Sequence, residues 1–306
     1  MTVLASILIP THDHASTLPL TVASALHQTV SDIEVVLIGD GVTPEVRAVA
    51  ENLVASDGRV RFLDYPKGAN HGEVYRDTAI RDASSDAIFY LCDDDLLMPD
   101  HVADLLELLK GHNFVQSKNG FFTTDGKVAP HPGDLSDPAA IAQHLRTDLV
   151  FSFVSLTGTA HSRQFYLDAA EPWTLTPAGI FPDIYQWRKL MRNPTFVGAT
   201  SKRMTALQFP TSQAGRDTWT AQERLAEIEK WAILAATPEG QIRIDSLVAE
   251  GDRETLIRDQ ERLFDLELRL IELELWKRRR GQVLADRFTR FVYRLPVVNR
   301  ALGRSR

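Results

Sequence analysis

The sequence predicts an α/β fold, a mainly parallel sheet flanked by helices, with a helical extension at the C-terminal end. Three observations predict it. Short apolar runs rich in β-formers alternate with stretches of helical apolar spacing through the first hundred residues, the pattern of βαβ units. One of these runs, Ile88 to Leu91, has no polar interruption, as expected of a strand covered on both faces. Beyond Thr220 the apolar spacing becomes helical and stays so.

Val3 to Ile9 is the first expected strand, closed by Pro10-Thr11-His12-Asp13-His14. Leu18, Val22, Ala25 and Leu26 follow at helical spacing, with Ser16 or Thr17 available as cap. Ile33 to Ile38 is the second strand, ending at Gly39-Asp40-Gly41, and Pro44 opens a helix through Val46, Val49, Ala50 and Leu53. Val60 to Leu63 is the third strand. The loop Gly68 to Gly72 leads to a helix carrying Val74, Tyr75, Ala79 and Ile80, and Ile88 to Leu91 completes a nucleotide-binding-type layer within 1–112. Residues 113–218 are less regular. Phe114 to Gln116 and Gly120 to Thr123 read as strands, Asp125-Gly126-Lys127 as a hairpin turn, and Phe151 to Leu156 alternates like a half-buried strand. Ile184, Trp187, Leu190 and Met191 give a helix led by Asp183.

The extension, 219–306, opens with an amphipathic helix through Leu225, Ile228, Trp231 and Ala232. A long helix follows, in which Leu263, Leu266, Leu270 and Leu273 repeat at alternating steps of three and four. That seam serves either a homodimer through 255–280 or packing on its own domain. Beyond Gly281, Phe288, Phe291, Val292 and Leu295 lie among Arg287, Arg290 and Arg294. A basic amphipathic segment of this kind is expected to make peripheral membrane contact through 277–300; covering the acidic body, or a disordered end, is the alternative.

The 306 residues, 44% hydrophobic and 25% charged, are those of an ordinary soluble globular protein. Cys92 is the single cysteine, which excludes an intrachain disulfide and fits a reducing compartment. The apolar start lacks a basic leader and breaks at Pro10, so it reads as a strand and not a signal peptide. No apolar run approaches the roughly 20 residues of a membrane span. Of the net charge of −7, residues 276–306 carry +9, leaving −16 on the rest. A nucleic-acid partner is therefore not expected, and the expected location is cytoplasmic, with the tail at the inner face of the plasma membrane.

The chemistry is expected at Asp93-Asp94-Asp95, directly after the fourth strand. Three adjacent anions repel one another and call for a cation or hydrogen-bond donors. On an extended chain Asp93 and Asp95 would share one side and Asp94 the other. Hard carboxylate oxygens suit Mg²⁺ or Mn²⁺, and ligands of open α/β sheets lie beyond the carboxyl ends of the strands, where Thr11, Asp13 and Asp40 are also expected. The competing reading is a solvated acidic loop whose Asp100 caps the next helix. Neither G-x-G-x-x-G after a strand nor G-x-x-x-x-G-K-[ST] occurs, which argues against dehydrogenases and P-loop NTPases.

Four stretches in order resemble glycosyltransferase family 2, inverting enzymes of the GT-A fold, with its Rossmann-like sheet. Ile7 to Asp13 is similar to the family's first strand and P-T-[YF]-N turn, and Val35 to Gly41 to its second strand ending in D-D-G-S. Asn70 to Asp77 is similar to N-x-G-x-x-x-A-R-N, and Leu91 to Asp100 to the metal-binding D-x-D with its following helix. Phe181 to Arg188 resembles the later E-D-x-x-x-x-x-R segment, and the resemblance covers the first 200 residues. Gly39 replaces an Asp of the pattern, Asp13 and Asp77 replace Asn, and Pro182 replaces Glu.

The resemblance implies a GT-A domain over 1–218, with donor half 1–112 and acceptor half 113–218. A nucleotide-sugar donor, a UDP-sugar foremost, would lie near Pro10, Thr11, Asp13, Asp40 and Arg76, with Asp93 facing the ribose. Asp94 and Asp95 would hold Mg²⁺ or Mn²⁺ on the diphosphate, and Asp183 would be the catalytic base, with Asp168 and Glu171 in reserve. The acceptor would be a saccharide or lipid-linked saccharide in polysaccharide assembly. The alternatives are a catalytically inactive GT-A-like nucleotide-sugar binding protein, suggested by Gly39 and Pro182, and a nucleotidyltransferase. Pro10-Thr11-His12-Asp13 is unlike the Gly-rich basic loop usual in the latter.

Overall fold

The computed structural model describes residues 2–211, 215–280, 289, 292 and 293. The chain divides into two units, 1–248 and 249–306. In chain order the first unit begins β1 (Ala5–Thr11), α1 (Leu18–Leu26), β2 (Ile33–Asp40), α2 (Pro44–Ser56), β3 (Val60–Tyr65), α3 (Tyr75–Arg81) and β4 (Ala87–Tyr90). It continues β5 (Leu96–Leu97), α4 (His101–Leu109), β6 (Phe114–Gln116), β7 (Gly120–Phe122), β8 (Val128–Pro130), α5 (Pro138–His144), β9 (Thr159–Ser162) and α6 (Arg163–Ala169). Then come α7 (Pro182–Met191), β10 (Gly198–Thr200), β11 (Ala206–Leu207), α8 (Ala221–Ala235) and the start of α9 (Pro238–Arg280).

Among the described residues a seven-stranded sheet runs β10-β6-β9-β4-β1-β2-β3. All its pairs are parallel except those of β9, which is antiparallel to both β4 and β6. Register explains the unbroken apolar strands. Ile7 pairs with Val35 and with Phe89, all on one face, and that face is covered by α1, α2 and α4. Their neighbours Leu8, Val36 and Tyr90 point to the other face, against α3, α6 and α7. Both faces are therefore dry, and the polar residues near the strand starts, Ser6 of β1 and Glu34 of β2, are buried and paired with each other at 2.6 Å.

A third core cluster lies beside the sheet. The short β5–β11 ribbon and the β7–β8 hairpin bring Leu96, Met98, Phe122 and Phe209 against Ile228 and Trp231 of α8. Ile244, Leu247 and Val248 of α9 join the same cluster. The expected boundary at 218/219 thus falls inside the first unit, which runs to Val248. Thr220 and Glu223 form a reciprocal capping box that starts α8.

One expected strand is absent. Residues 151–156 are irregular, although Phe153, Val154 and Leu156 are buried. Their backbone is satisfied locally, with Asn119 Nδ2 donating to the Phe153 carbonyl at 2.8 Å and the Val154 N–H to Ser152 Oγ at 3.0 Å. The apolar alternation there belongs to a loop lying on the core. The strand of this region is β9, a few residues later. In the second unit α9 continues to Arg280, with Leu263, Leu266, Leu270 and Leu273 partly covered and Phe264, Leu268, Ile271 and Leu275 exposed. Most of the basic segment expected at 277–300 lies outside the described residues. Among the described residues no helix is long and apolar enough to cross a membrane.

Candidate active site

β1, β2 and β4 run parallel, so the segments leaving them meet at one edge of the sheet. The turn after β1 is tied to the end of β2: His12 Nδ1 hydrogen-bonds the Asp40 carbonyl at 2.8 Å, and the Thr43 N–H donates to the His12 carbonyl at 3.1 Å. The Asp40 carboxylate accepts the Gly68 N–H at 2.6 Å and the Lys67 ammonium, pinning the 66–73 loop over the strand end. Gly72 makes this approach possible. Its φ is +59°, and a Cβ there would stand 2.4 Å from Asp40 Cγ. Pro10 is half-buried at the end of β1. Thr11 is buried with no hydrogen-bond partner for Oγ1 among the described residues. The Asp13 side chain is largely exposed, 3.9 Å from His14 Nε2.

The carboxylate run does not continue β4 as an extended chain. The Asp95 N–H turns back to the Cys92 carbonyl at 3.2 Å, and this tight turn cancels the expected alternation of sides. Thr17 Oγ1 and Thr21 Oγ1 of the α1 region donate to the Asp93 and Asp95 carbonyls, both at 2.9 Å, and fix the turn. Asp93 and Asp94 therefore share the front of the site with His14. Nδ1 of His14 is 2.8 Å from Asp93 Oδ1, and Asp94 Oδ2 accepts from Arg224 Nη2 at 2.7 Å.

Asp95, expected as a metal ligand, points inward instead. Its oxygens accept from Thr157 Oγ1 at 2.5 Å and the Phe209 N–H at 2.8 Å, so it holds the fold around the turn. Burial and the neighbouring Asp94 push its carboxyl up to about 8. Burial and Asp93 also raise Asp94, while His14 and Arg224 oppose the shift. The His14 imidazole is raised to about 9, first by its hydrogen bond to Asp93, with burial acting against it.

His14, Asp93 and Asp94 can each offer one ligand atom, all within 4.8 Å of one another. The two carboxylates are hard ligands that fit Mn²⁺ or Mg²⁺, and the His14 nitrogen can join them once it gives up the proton that Asp93 stabilises.

Arg76 of α3 stands on the other side of the strand end. Only 6% exposed, it has no hydrogen-bond partner for Nε or Nη1 among the described residues. Its guanidinium lies over the Trp173 ring, 4.6 Å from the centroid. Burial lowers its pKa, and Cys92, Tyr90, Asp183 and Glu73 oppose that electrostatically. Glu73 ties the neighbouring loops together by accepting the Thr176 N–H at 2.8 Å and the His71 N–H at 3.1 Å.

Asp183 lies in the first turn of α7, whose N-cap is Phe181, so the aspartate is not the cap. Burial raises its pKa; a hydrogen bond from the Ile184 N–H at 2.9 Å and the charges of Arg76 and His71 act against that. The reserve residues are less suited. Asp168 accepts from Gln164 along the exposed side of α6, and Glu171 is exposed. Cys92 at the start of the carboxylate turn and Asp183 of α7 both act electrostatically on Arg76. Sequence reasoning missed Lys67, Thr157 and Arg224 as members of this edge, and it named His14 only as part of a turn. No local motif marks any of them.

Residues 6–154 match the family model described as Glycosyl transferase family 2. The chain is similar to a chondroitin synthase of Pasteurella multocida, 32% identical over 174 residues. That match covers 56% of this chain and 17% of the synthase, so the chain spans only a small part of such relatives. Among solved structures it is similar to Staphylococcus aureus TarS 1–349 in complex with UDP-GlcNAc, at a TM-score of 0.54 and 14% identity, covering 81% of this chain and 71% of that one. It is also similar to the mannosyltransferase PcManGT of Pyrobaculum calidifontis in complex with GDP-Man and Mn²⁺, at a TM-score of 0.50 and 14% identity, covering 98% and 83%. With the sheet order, the carboxylate turn and the matched segment in agreement, residues 6–154 carry a glycosyl transferase family 2 domain, set in a GT-A-like fold.

Proposed function

We propose that the protein is an inverting glycosyltransferase that moves a hexosyl group from a nucleotide sugar, a UDP-sugar foremost, to a hydroxyl of a saccharide or lipid-linked saccharide in polysaccharide assembly. The observation that carries this reading is Arg76. A buried guanidinium with two unpartnered nitrogens beside a strand end calls for an anionic ligand, and Asp183, a carboxylate with a raised pKa, feels its charge. The names of the similar proteins support the class: a polysaccharide synthase, and structures holding UDP-GlcNAc or GDP-Man with Mn²⁺.

In this reading Pro10, Thr11, Asp13 and the loop pinned by Asp40 receive the base and ribose, and Arg76 faces the diphosphate. Asp94, with Asp93 and His14, would hold Mg²⁺ or Mn²⁺, which when bound neutralises charge on the departing nucleoside diphosphate. Asp183 takes the proton of the acceptor hydroxyl as it attacks the anomeric carbon from the face opposite the leaving group; the carbon–oxygen bond to the diphosphate breaks and configuration inverts. The raised pKa of Asp183 suits a base. The reading includes a cytoplasmic location, peripheral contact of 277–300 with the inner face of the plasma membrane, and a homodimer through 255–280.

Thermal-shift titration with UDP, GDP and dTDP, with and without Mn²⁺, on wild type and Asp94→Ala tests it. One nucleotide should raise the midpoint in a Mn²⁺-dependent way that the variant loses, and a sugar ester of that nucleotide should be consumed. No shift with any nucleotide would overturn the donor site. A shift without consumption of any nucleotide sugar would leave a binding protein.

A further inference from the structure

Arg224 lies outside the matched segment 6–154, in the first turns of α8, yet its guanidinium reaches the carboxylate turn. Nη2 donates to Asp94 Oδ2 at 2.7 Å and to the Phe209 carbonyl at 2.8 Å, and Nη1 to Glu227 Oε2 at 3.3 Å. The contact is built, not incidental. Arg224 is 9% exposed, α8 is anchored by Ile228 and Trp231 in the third core cluster, and Glu227 is gripped by the buried Arg216 at 2.7 and 2.5 Å. Phe209 links the two halves of the arrangement, because its N–H serves Asp95 while its carbonyl serves Arg224.

Asp94 is also one of the three residues whose ligand atoms converge at the front of the site. A divalent cation and a guanidinium repel each other, and close to a protein surface that repulsion is strong at contact distance. A cation entering the group must therefore take an oxygen environment that Arg224 already holds.

We infer that Arg224 is a positioning residue that keeps Asp94 for itself in the metal-free site, so that a divalent ion binds weakly alone and tightly together with a nucleoside diphosphate. The inference rests on the metal reading above. A diphosphate offers the displaced guanidinium a charged, bidentate acceptor in place of Asp94, so the cost of breaking the ion pair is recovered only when both ligands arrive. Ion and nucleotide then each raise the affinity of the other by the same factor. Helix α8 thereby makes the site respond to a loaded donor and not to the free ion.

The test is Mn²⁺ binding, read as loss of the free-ion electron paramagnetic resonance signal, without nucleotide and with saturating UDP or GDP. Wild type, Arg224→Gln, Arg224→Lys and Asp94→Asn are compared. Arg224→Gln, which removes the charge and keeps a polar amide, should bind Mn²⁺ alone at least tenfold more tightly than wild type and gain less from nucleotide. Arg224→Lys, which keeps the charge, should stay near wild type. Equal Mn²⁺ affinity of wild type and Arg224→Gln without nucleotide would overturn the inference. Mn²⁺ binding that survives Asp94→Asn would instead remove the metal reading beneath it, so the two failures are distinct. If Arg224→Gln does not fold, wild type answers by ¹⁵N guanidinium resonances. The Arg224 Nη signals should move when Mg²⁺ and UDP are added together, and no movement would overturn the inference.

Discussion

Gly72→Ala tests whether the donor edge is held by the close approach of a loop to Asp40. An alanine at φ +59° costs about 1–2 kcal/mol in backbone conformation alone. The added Cβ would stand 2.4 Å from Asp40 Cγ and 2.7 Å from its Cβ, and Asp40 cannot retreat because β2 is locked between β1 and β3. The carboxylate must turn aside and give up the Gly68 N–H, a hydrogen bond to a charged group contributing about 1.5–3 kcal/mol. The sum, about 2.5–5 kcal/mol, is a large share of the roughly 5–15 kcal/mol of a folded domain. Urea unfolding should show it as a lowered midpoint at unchanged slope. Gly58→Ala is the control: its Cβ meets nothing within 4 Å and its φ is not positive, so stability should hold or rise slightly. A loss below about 1 kcal/mol in Gly72→Ala would refute the anchoring role of Asp40.

Asp183→Asn should lower kcat by about 10²–10⁴ with little change in donor affinity, measured as sugar transfer and as nucleotide binding; retention of kcat within tenfold would return the base role to another group. Glu227→Ala leaves the buried Arg216 guanidinium without its carboxylate and should cost about 3–5 kcal/mol in urea unfolding. Burial holds His144 neutral and lowers its pKa to about 4, so below its ordinary 6.5 the unfolded chain takes a proton that the folded chain refuses. Its contribution to stability is present above pH 6.5 and is lost as pH falls toward 4. His144→Leu should therefore gain about 2 kcal/mol on wild type between pH 7 and pH 5, and equal acid sensitivity of the two proteins would contradict it.

The sheet was legible where both its faces are covered. Ile7 to Ile9, Val35 to Ile38 and Ile88 to Tyr90 are apolar at successive positions because the register sends alternate side chains into two dry layers. β9 was not legible: Thr159, Ala160, His161 and Ser162 carry no strand pattern, and they are extended because β4 and β6 supply partners on both sides. Residues 151–156 show the converse, strand-like alternation without neighbours to pair with. At the site, the position of the three aspartates was legible but their directions were not, since those depend on the turn that Thr17 and Thr21 hold from α1. Arg224 reaches Asp94 across 130 residues of chain, and only the packing of α8 on the third core cluster puts it there.

The antiparallel strand has a consequence for any attempt to isolate the family segment. Residues 6–154 stop short of β9, the strand that occupies the gap between β4 and β6. A recombinant fragment ending there would leave Ala87 to Tyr90, apolar on both faces, as a bare sheet edge with unpaired amides and carbonyls, the template for edge-to-edge aggregation. It would also lack Thr157 and Phe209, the donors that settle Asp95. The stretch that inheritance marks as a module is thus not one that can be cut out and kept soluble; the smallest autonomous piece must run far enough to close its own sheet.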